Sequence, residues 1–104
     1  MLPEAAPGAI AVVEEDGVRV LRLTGEIDSQ VVAAYDGPAV LSAGAAVIDA
    51  SAVTFLDCRG LGFLVRQTGA ARRAGGRPVL RRPTRIVRRV IDIAGAGSCF
   101  TITL

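Results

Sequence analysis

The first quarter of the chain alternates apolar and polar residues in two short runs. Residues 10–13 are apolar, and residues 18–24 (Val-Arg-Val-Leu-Arg-Leu-Thr) place arginines between aliphatic side chains. Such alternation is typical of a strand with one solvated face. The polar segment 14–17 between the runs ends in Gly17, which accepts a positive φ. The pattern therefore predicts a β-hairpin, which follows a flexible leader over residues 1–9.

A helix and a buried strand are predicted next. Residues 25–29 interrupt the strand pattern, and Asp28 or Ser29 is suited to capping a helix over residues 30–35. Asp36-Gly37-Pro38 is expected to bend or end this helix because proline has no N–H to donate, and residues 39–42 add one more turn. The continuous apolar run at 45–49 is typical of a strand that is buried on both faces of a parallel sheet.

The second half of the chain alternates helical and strand patterns. After Gly60, apolar or small residues recur at helical spacing, and Gly75-Gly76 ends that helix in a left-handed conformation. A strand is predicted over 77–81, a helix that opens near Pro83 follows it, and the last strand covers 100–104. The inward positions of the two helices are Leu61, Leu64, Val65, Thr68 and Ala71, then Val87, Val90, Ile91 and Ala94.

The predicted order of elements is β-β-α-β-α-β-α-β. Helices between parallel strands cross over one face of a sheet. The sequence therefore predicts a single α/β domain over residues 10–104, with a mixed but mostly parallel sheet and helices mainly on one face. The chain of 104 residues is of ordinary size for one such domain.

Two absences from the composition restrict the chemistry of this chain. The chain contains no His and no Lys, and all 12 basic residues are Arg. Without imidazole, the Ser–His–Asp triad, the Cys–His dyad and most transition-metal sites are excluded, so we predict no cofactor and no metal. Two cysteines without a secretion signal predict reduced thiols in a cytoplasmic protein. No apolar run reaches the roughly 18 residues of a membrane-spanning helix, so we expect no membrane insertion.

The net charge of +2 conceals a strong asymmetry along the chain. Residues 1–58 hold nine acidic residues and two arginines, whereas residues 59–104 hold ten arginines and Asp92 alone. A cluster of arginines is either a solvated helix face or the footprint of a nucleic acid. No helix-turn-helix pattern accompanies it, so the sequence favours the solvated helix face over a nucleic-acid partner. The clustered residues are Arg81, Arg82, Arg85, Arg88 and Arg89.

The most informative stretch is Val53-Thr54-Phe55-Leu56-Asp57-Cys58-Arg59-Gly60-Leu61-Gly62-Phe63-Leu64. A strand runs into an acidic residue and then into a helix that carries glycines in its first turns. Ligands of parallel sheets gather beyond the carboxyl ends of the strands, where helix N-termini expose free N–H groups. Gly60 and Gly62 are expected to leave main chain accessible to a partner, and Asp28 is expected at the same end of the sheet.

Several motifs in one order resemble the STAS domain of bacterial anti-sigma-factor antagonists. They are residues 23–28 (family LxGELD), 47–51 (two hydrophobic residues, Asp, Leu, Ser), 53–62 (VxFIDSSGLG) and the glycines 75–76 before Arg77. The resemblance implies a non-enzymatic module that binds an anti-sigma factor of the kinase-like type. In that family the kinase phosphorylates a serine, and only the unphosphorylated form binds. Cys58 stands at the serine position here and Arg59 replaces a second serine, so the phosphorylation switch is expected to be lost.

The candidate residues have competing interpretations. Asp57 is an N-cap, a partner contact or both, and Cys58 is an inert small residue or an oxidation-sensitive thiol. Phe63 is an exposed interface anchor or a core residue. A disulfide between Cys58 and Cys99 is not expected, because parallel strands would place the two thiols at opposite ends of the sheet. The predicted partner-binding set is Asp28, Asp57, Cys58, Arg59, Gly60, Gly62, Phe63 and Arg66.

Two further functions stay open at the level of sequence. A STAS subunit that regulates an ABC transporter would fit the missing serine equally well, and a basic nucleic-acid-binding domain is the weaker alternative. The sequence predicts neither the identity of the partner nor an oligomeric state.

Overall fold

The computed structural model describes residues 8–35 and 47–104 of the chain. Five strands, four α-helices and one short 3₁₀-helix at Gly97–Cys99 occupy these residues. The strands are β1 (Ala9–Glu15), β2 (Val18–Ile27), β3 (Val47–Leu56), β4 (Val79–Arg81) and β5 (Thr101–Thr103). The helices are α1 (Ser29–Ala34), α2 (Cys58–Gln67), α3 (Gly69–Arg73) and α4 (Arg85–Ile93). The predicted order of elements is confirmed, except that the predicted second helix is divided into α2 and α3.

The strands form one sheet in the order β1-β2-β3-β4-β5. β1 and β2 pair antiparallel, and the three remaining pairs are parallel. Between β1 and β2, Asp16 and Gly17 both adopt positive φ, 51° and 81°, as a tight hairpin turn requires. The predicted hairpin and the mixed, mostly parallel sheet are both present.

The two central strands are longer than the sequence pattern predicts. β2 continues past Thr24 to Ile27, because it pairs with β3 through a register shift between Gly25 and Glu26 that absorbs the irregular sequence. β3 likewise continues through Ser51 to Leu56 instead of ending near Asp49. Long-range pairing thus extends strands that the local pattern ends early.

Some predicted boundaries lie outside the described residues. Of the predicted leader, 1–7 are outside, while Ala9 already belongs to β1. The predicted turn at Asp36-Gly37-Pro38, the extra helical turn at 39–42 and the first two residues of the predicted strand 45–49 are also outside.

The core lies between the sheet and the helices. Leu21, Ile48 and Leu80 occupy one row across three neighbouring strands, and each is fully buried. They belong to a single apolar cluster with side chains from α2, α3 and α4, and α1 packs on its margin through Val31 and Val32. The described helices therefore cover one face of the sheet, as predicted. None of them is both long and apolar enough to cross a membrane.

The predicted second helix is divided at Thr68, which is completely buried. The Thr68 hydroxyl donates to the carbonyl of Leu64 at 2.8 Å, and the Arg72 guanidinium donates to Thr68 Oγ1 at 2.7 Å and to the carbonyl of Val65. Side chains that occupy helix carbonyls compete with the backbone ladder. The inward stripe continues to Ala71, and Gly75 closes the helix with φ 88°.

The start of α4 also differs from the prediction. Pro83 is buried and precedes Thr84, which is the N-cap residue, so proline lies outside the first turn. The Thr84 hydroxyl donates to the carbonyl of Val53 at 2.8 Å and ties this turn to β3. Val87 and Ile91 are buried as predicted, whereas Ala94 is exposed because α4 has already ended there.

Charged side chains line the other face of the sheet. Arg22, Asp49 and Arg81 form the row next to the buried one, so they point away from the helices. Arg81 donates to Asp49 at 2.8 Å and to Glu15 at 2.7 Å, and Glu15 also accepts from Arg22 at 3.3 Å. Burial on its own would raise the pKa of Asp49, but hydrogen bonds from Ser51 and Arg81 together lower it to about 2.

The lowered pKa of Asp49 predicts a stability that depends on acid pH. Because the folded pKa lies below the unfolded value, the ionised side chain stabilises the fold above pH ~4, and this contribution is lost as pH falls towards 2. We expect Asp49→Asn to lower the free energy of unfolding by about 2 kcal/mol at pH 7. Chemical denaturation of both proteins across this range should show the difference shrinking in acid. A difference that stays constant would contradict the role of the charge.

Candidate functional site

Two strand-to-helix junctions lie side by side at one end of the sheet, where β2 and β3 finish. β2 and β3 are parallel and end in register, with Ile27 opposite Leu56. Asp28 follows β2 and caps α1, and Asp57 follows β3 and caps α2. The amide of Asp57 donates to the carbonyl of Ile27 at 3.4 Å, which joins the two junctions. The expectation that Asp28 and Asp57 share one end of the sheet is confirmed.

Both aspartates hold the first turns of their helices. Asp28 Oδ1 accepts from the amides of Gln30 and Val31, each at 3.0 Å, and Asp57 Oδ1 accepts from the amide of Gly60 at 2.8 Å. These amides have no partner within the helix, so the carboxylates satisfy them and interact favourably with the helix dipole. The capping interpretation of Asp57 is confirmed.

Gly60 does not leave main chain open to a partner. It is buried, and a Cβ at this position would lie 2.6 Å from the carbonyl oxygen of Ile27 and 2.7 Å from Leu56 Cδ1. The first turn of α2 presses against the ends of β2 and β3 at this point. The prediction that Gly60 is accessible is therefore wrong, and its small size serves packing.

Phe63 is not an exposed anchor. Only 4% of it is accessible, and its ring contacts Tyr35 edge-on, with ring centroids 5.3 Å apart and planes at 81°. In the sequence pattern, Phe63 lies next to the row of inward-facing residues of this helix and not within it, which suggests a partly exposed side chain. Because α1 covers that flank of α2, the buried face of α2 is wider than the stripe. Phe63 thus belongs to the core and not to the partner-facing surface.

The outward side of α2 carries the remaining candidates. Cys58, Arg59 and Arg66 are exposed, and Gly62 is half-buried between them. A Cβ on Gly62 would meet only the tip of the Arg66 side chain, at 3.2 Å, so this part of the helix surface is low and open. We call Arg59, Gly62 and Arg66 the α2 ridge.

A groove runs along each side of the α2 ridge. The larger one, which we call the apolar groove, has a volume of about 560 Å³ and lies between α2 and the segment 94–99. It is lined by Cys58, Leu61, Gly62, Val65, Arg66, Ala94, Gly95, Ala96 and Cys99. The smaller one, which we call the α1 groove, has about 220 Å³ and is lined by Ser29, Val32, Ala33, Arg59 and Arg66.

The structure adds residues that the sequence analysis does not identify. Ala94, Ala96 and Cys99 form the far wall of the apolar groove, and Val32 forms part of the α1 groove. Helical periodicity assigns each residue to a face of its own helix, but it does not show which segments lie next to each other in space. Sequence alone therefore offers no signal for these walls.

The two cysteines are both free thiols, Cys58 exposed and Cys99 half-buried. Both line the apolar groove, so the expectation that they lie at opposite ends of the sheet is wrong, although the two thiols form no disulfide. Within residues 8–35 and 47–104, no three Cys, Asp or Glu side chains gather in a metal-binding arrangement.

Comparisons with known proteins agree with this architecture. A crystal structure of an anti-sigma factor antagonist from Mycobacterium paratuberculosis is 30% identical, with a TM-score of 0.68, over 95% of this chain and 89% of that one. The structure of the anti-sigma factor antagonist SpoIIAA in its unphosphorylated form is 20% identical, also with a TM-score of 0.68, over 91% and 88% of the two chains. The second likeness shows the shared fold. A search among curated proteins finds no match.

A family model supplies the assignment. The model described as "Mlab, STAS domain" matches residues 10–102, which is nearly the whole chain. This range includes every described strand and helix except the ends of β1 and β5. The sequence motifs, the strand order and the paired junctions agree with the match, and the chain belongs to the STAS domain family.

Proposed function

We propose that this protein is a non-enzymatic regulator that binds an anti-sigma factor of the kinase-like type. The observation that carries the proposal is the exposed start of α2, with Cys58, Arg59 and Gly62 at the junction after β3. The 30% identity to a mycobacterial anti-sigma factor antagonist supports this class of partner. The proposal includes a cytoplasmic location, with which the free thiols of Cys58 and Cys99 agree.

The α2 ridge and its grooves act by binding to the anti-sigma factor and blocking its site for the sigma factor. A low helix surface flanked by two grooves lets another protein approach closely, and a rigid helix presents the contacts without an ordering cost. Asp28 and Asp57 fix the starts of α1 and α2, so they position the surface even where the partner does not touch them. By covering the face of the anti-sigma factor that holds the sigma factor, the protein releases the sigma factor for transcription.

The first test is capture of the partner from native cells with the purified chain. We expect mass spectrometry to identify an anti-sigma factor with a kinase-like domain, and we expect binding of that protein to be competed by its sigma factor. Capture of a transporter ATPase or permease instead would replace the proposal with transporter regulation. Binding to duplex DNA that weakens with salt would favour the nucleic-acid alternative.

The residue at position 58 decides whether phosphorylation can regulate binding to the anti-sigma factor. Phosphorylation of a serine here would add nearly two negative charges at the start of α2 and alter the interface. Cys58 carries a thiol, which a serine kinase does not ordinarily phosphorylate. In this proposal the protein therefore stays competent to bind when ATP is present.

This difference gives a direct prediction with a matched variant. After incubation with ATP and the captured kinase-like partner, we expect the mass of the wild-type chain to be unchanged. We expect Cys58→Ser to gain one phosphate, because the serine restores the acceptor at an exposed position. Intact-mass spectrometry with peptide mapping measures both. Phosphate on residues 57–60 of the wild type, or none on Cys58→Ser, would contradict the assigned role of this position.

A further inference from the structure

We propose that the α2 ridge and its grooves recognise an acidic amphipathic helix, whose aliphatic side chains enter the apolar groove and whose carboxylates meet Arg59 and Arg66. The inference rests on the proposed function and specifies the chemistry of the partner. Helix-in-groove recognition uses apolar anchors spaced along one helix face and charges at its margins.

The apolar groove supplies the anchor site. Its walls come from α2 and from the segment 94–99, and Arg66 is the one charged residue among the described residues that line it. Leu61, Val65 and Ala96 offer aliphatic surface to the groove. The groove is open to solvent and has a volume of about 560 Å³, so aliphatic side chains of a partner can reach its apolar walls.

The α1 groove is positively charged, so it favours a partner with negatively charged side chains. Its charged lining residues are Arg59 and Arg66, and among the residues that the structure describes no acidic one lines either groove. Arg66 lines both grooves, so a helix lying along the α2 ridge would bring its margin to a guanidinium on either side. Guanidinium groups bind carboxylates with two parallel hydrogen bonds.

Within the described part of the chain, neither Arg59 nor Arg66 takes part in an ion pair. The ion pairs within residues 8–35 and 47–104 involve Arg19, Arg22 and Arg81, all on the sheet. The nearby carboxylates of Asp28 and Asp57 accept hydrogen bonds from first-turn amides of α1 and α2, so they are engaged in capping these helices. Arg59 and Arg66 are thus available to an external carboxylate.

Other arginines do not offer the same combination. The outer face of α4 carries Arg85, Arg88 and Arg89, which line an open concavity together with Ile86 and Asp92. That surface is basic, but it contains an acidic residue and a single aliphatic one. If positive charge alone attracted an acidic helix, the outer face of α4 would bind it as well, so this face is the control surface.

Two synthetic helical peptides test the inference on the full chain. Both carry the same face of leucines, which is flanked by glutamates in one and by lysines in the other. Titration followed by amide NMR shifts should show the glutamate peptide binding about tenfold more tightly, with shifts at Gly62, Val65 and Ala96. The preference should weaken as salt is raised. Equal affinity for the two peptides, or shifts centred on α4, would overturn the inference.

A matched pair of charge reversals completes the test. Arg66→Glu should reverse the preference in favour of the lysine peptide, whereas Arg88→Glu should change either affinity less than about twofold. Both arginines are exposed, and neither takes part in an ion pair among residues 8–35 and 47–104, so both variants are expected to fold, and thermal unfolding checks this. Equal effects of the two reversals would contradict the inference. If the protein passes these tests but captures no anti-sigma factor, the proposed function is wrong. The inference that this surface binds an acidic amphipathic helix then still stands.

Discussion

Gly60→Ala is expected to destabilise the fold by about 3 kcal/mol, at the upper end of the range for overpacked cores. The added Cβ would lie 2.6 Å from the carbonyl oxygen of Ile27, which is backbone at the end of β2 and cannot rotate away. The contact at 2.7 Å with Leu56 Cδ1 closes the other side. For a domain of this size the expected fall in melting temperature is roughly 15 °C, measured by circular dichroism.

Gly62→Ala is the control, two residues further along the same helix. Its Cβ would meet only the flexible tip of Arg66, and alanine is the better helix former by up to about 1 kcal/mol. We therefore expect Gly62→Ala to leave the melting temperature unchanged or to raise it. If both variants lose stability equally, glycine is needed for the helix backbone in general, and the close approach at Gly60 is not the cause.

The architecture is predictable from the sequence because alternation, helical periodicity and turn residues each mark the elements along the chain. Alternation around Arg19 and Arg22, the helical stripe from Leu61 to Ala71 and the turn at Gly17 all agree with the observed elements. The caps at Asp28 and Asp57 were equally predictable, since an acidic residue that follows a strand and precedes a helix has few other local roles. The order of elements then restricts the sheet to few topologies.

The errors arise where distant segments meet. Phe63 is buried because α1 lies against α2, and Gly60 is buried because β2 ends beside it. The division of the helix at Thr68 depends on Arg72, which also donates to the carbonyl of Cys99 and lies over the ring of Phe100. None of these contacts is visible from the spacing of residues within one element.

The charge asymmetry of the sequence becomes an asymmetry in space. The acidic turn before Gly17 lies at the start of β2, whereas α2 begins beside its far end, about 30 Å away for a strand of ten residues. The carboxylates of Glu15 and Asp49 pair with the sheet arginines Arg22 and Arg81, and among residues 8–35 and 47–104 no arginine on a helix takes part in an ion pair. The fold thus presents a basic helical layer, and this supports an acidic partner.

Gly62→Arg is expected to weaken binding of the captured anti-sigma factor by about a hundredfold or more, which corresponds to roughly 2.7 kcal/mol. The new side chain would stand at the centre of the α2 ridge, between the two grooves, where a partner helix must lie. Folding should be nearly unaffected, because Gly62 faces outward and only the tip of Arg66 must move. Calorimetric titration measures the affinity and thermal melting measures the stability.

The loss must come from steric exclusion at Gly62 and not from added positive charge. Ala74→Arg adds the same side chain to the helical layer at an exposed position beyond α3 and away from both grooves, so it should bind like the wild type. Gly62→Ala should also bind within about threefold, because a methyl group fills little of the space that a helix needs. Full-strength binding by Gly62→Arg would show that the partner does not cover the α2 ridge. The surface assigned to the partner would then have to be sought on another face of the domain.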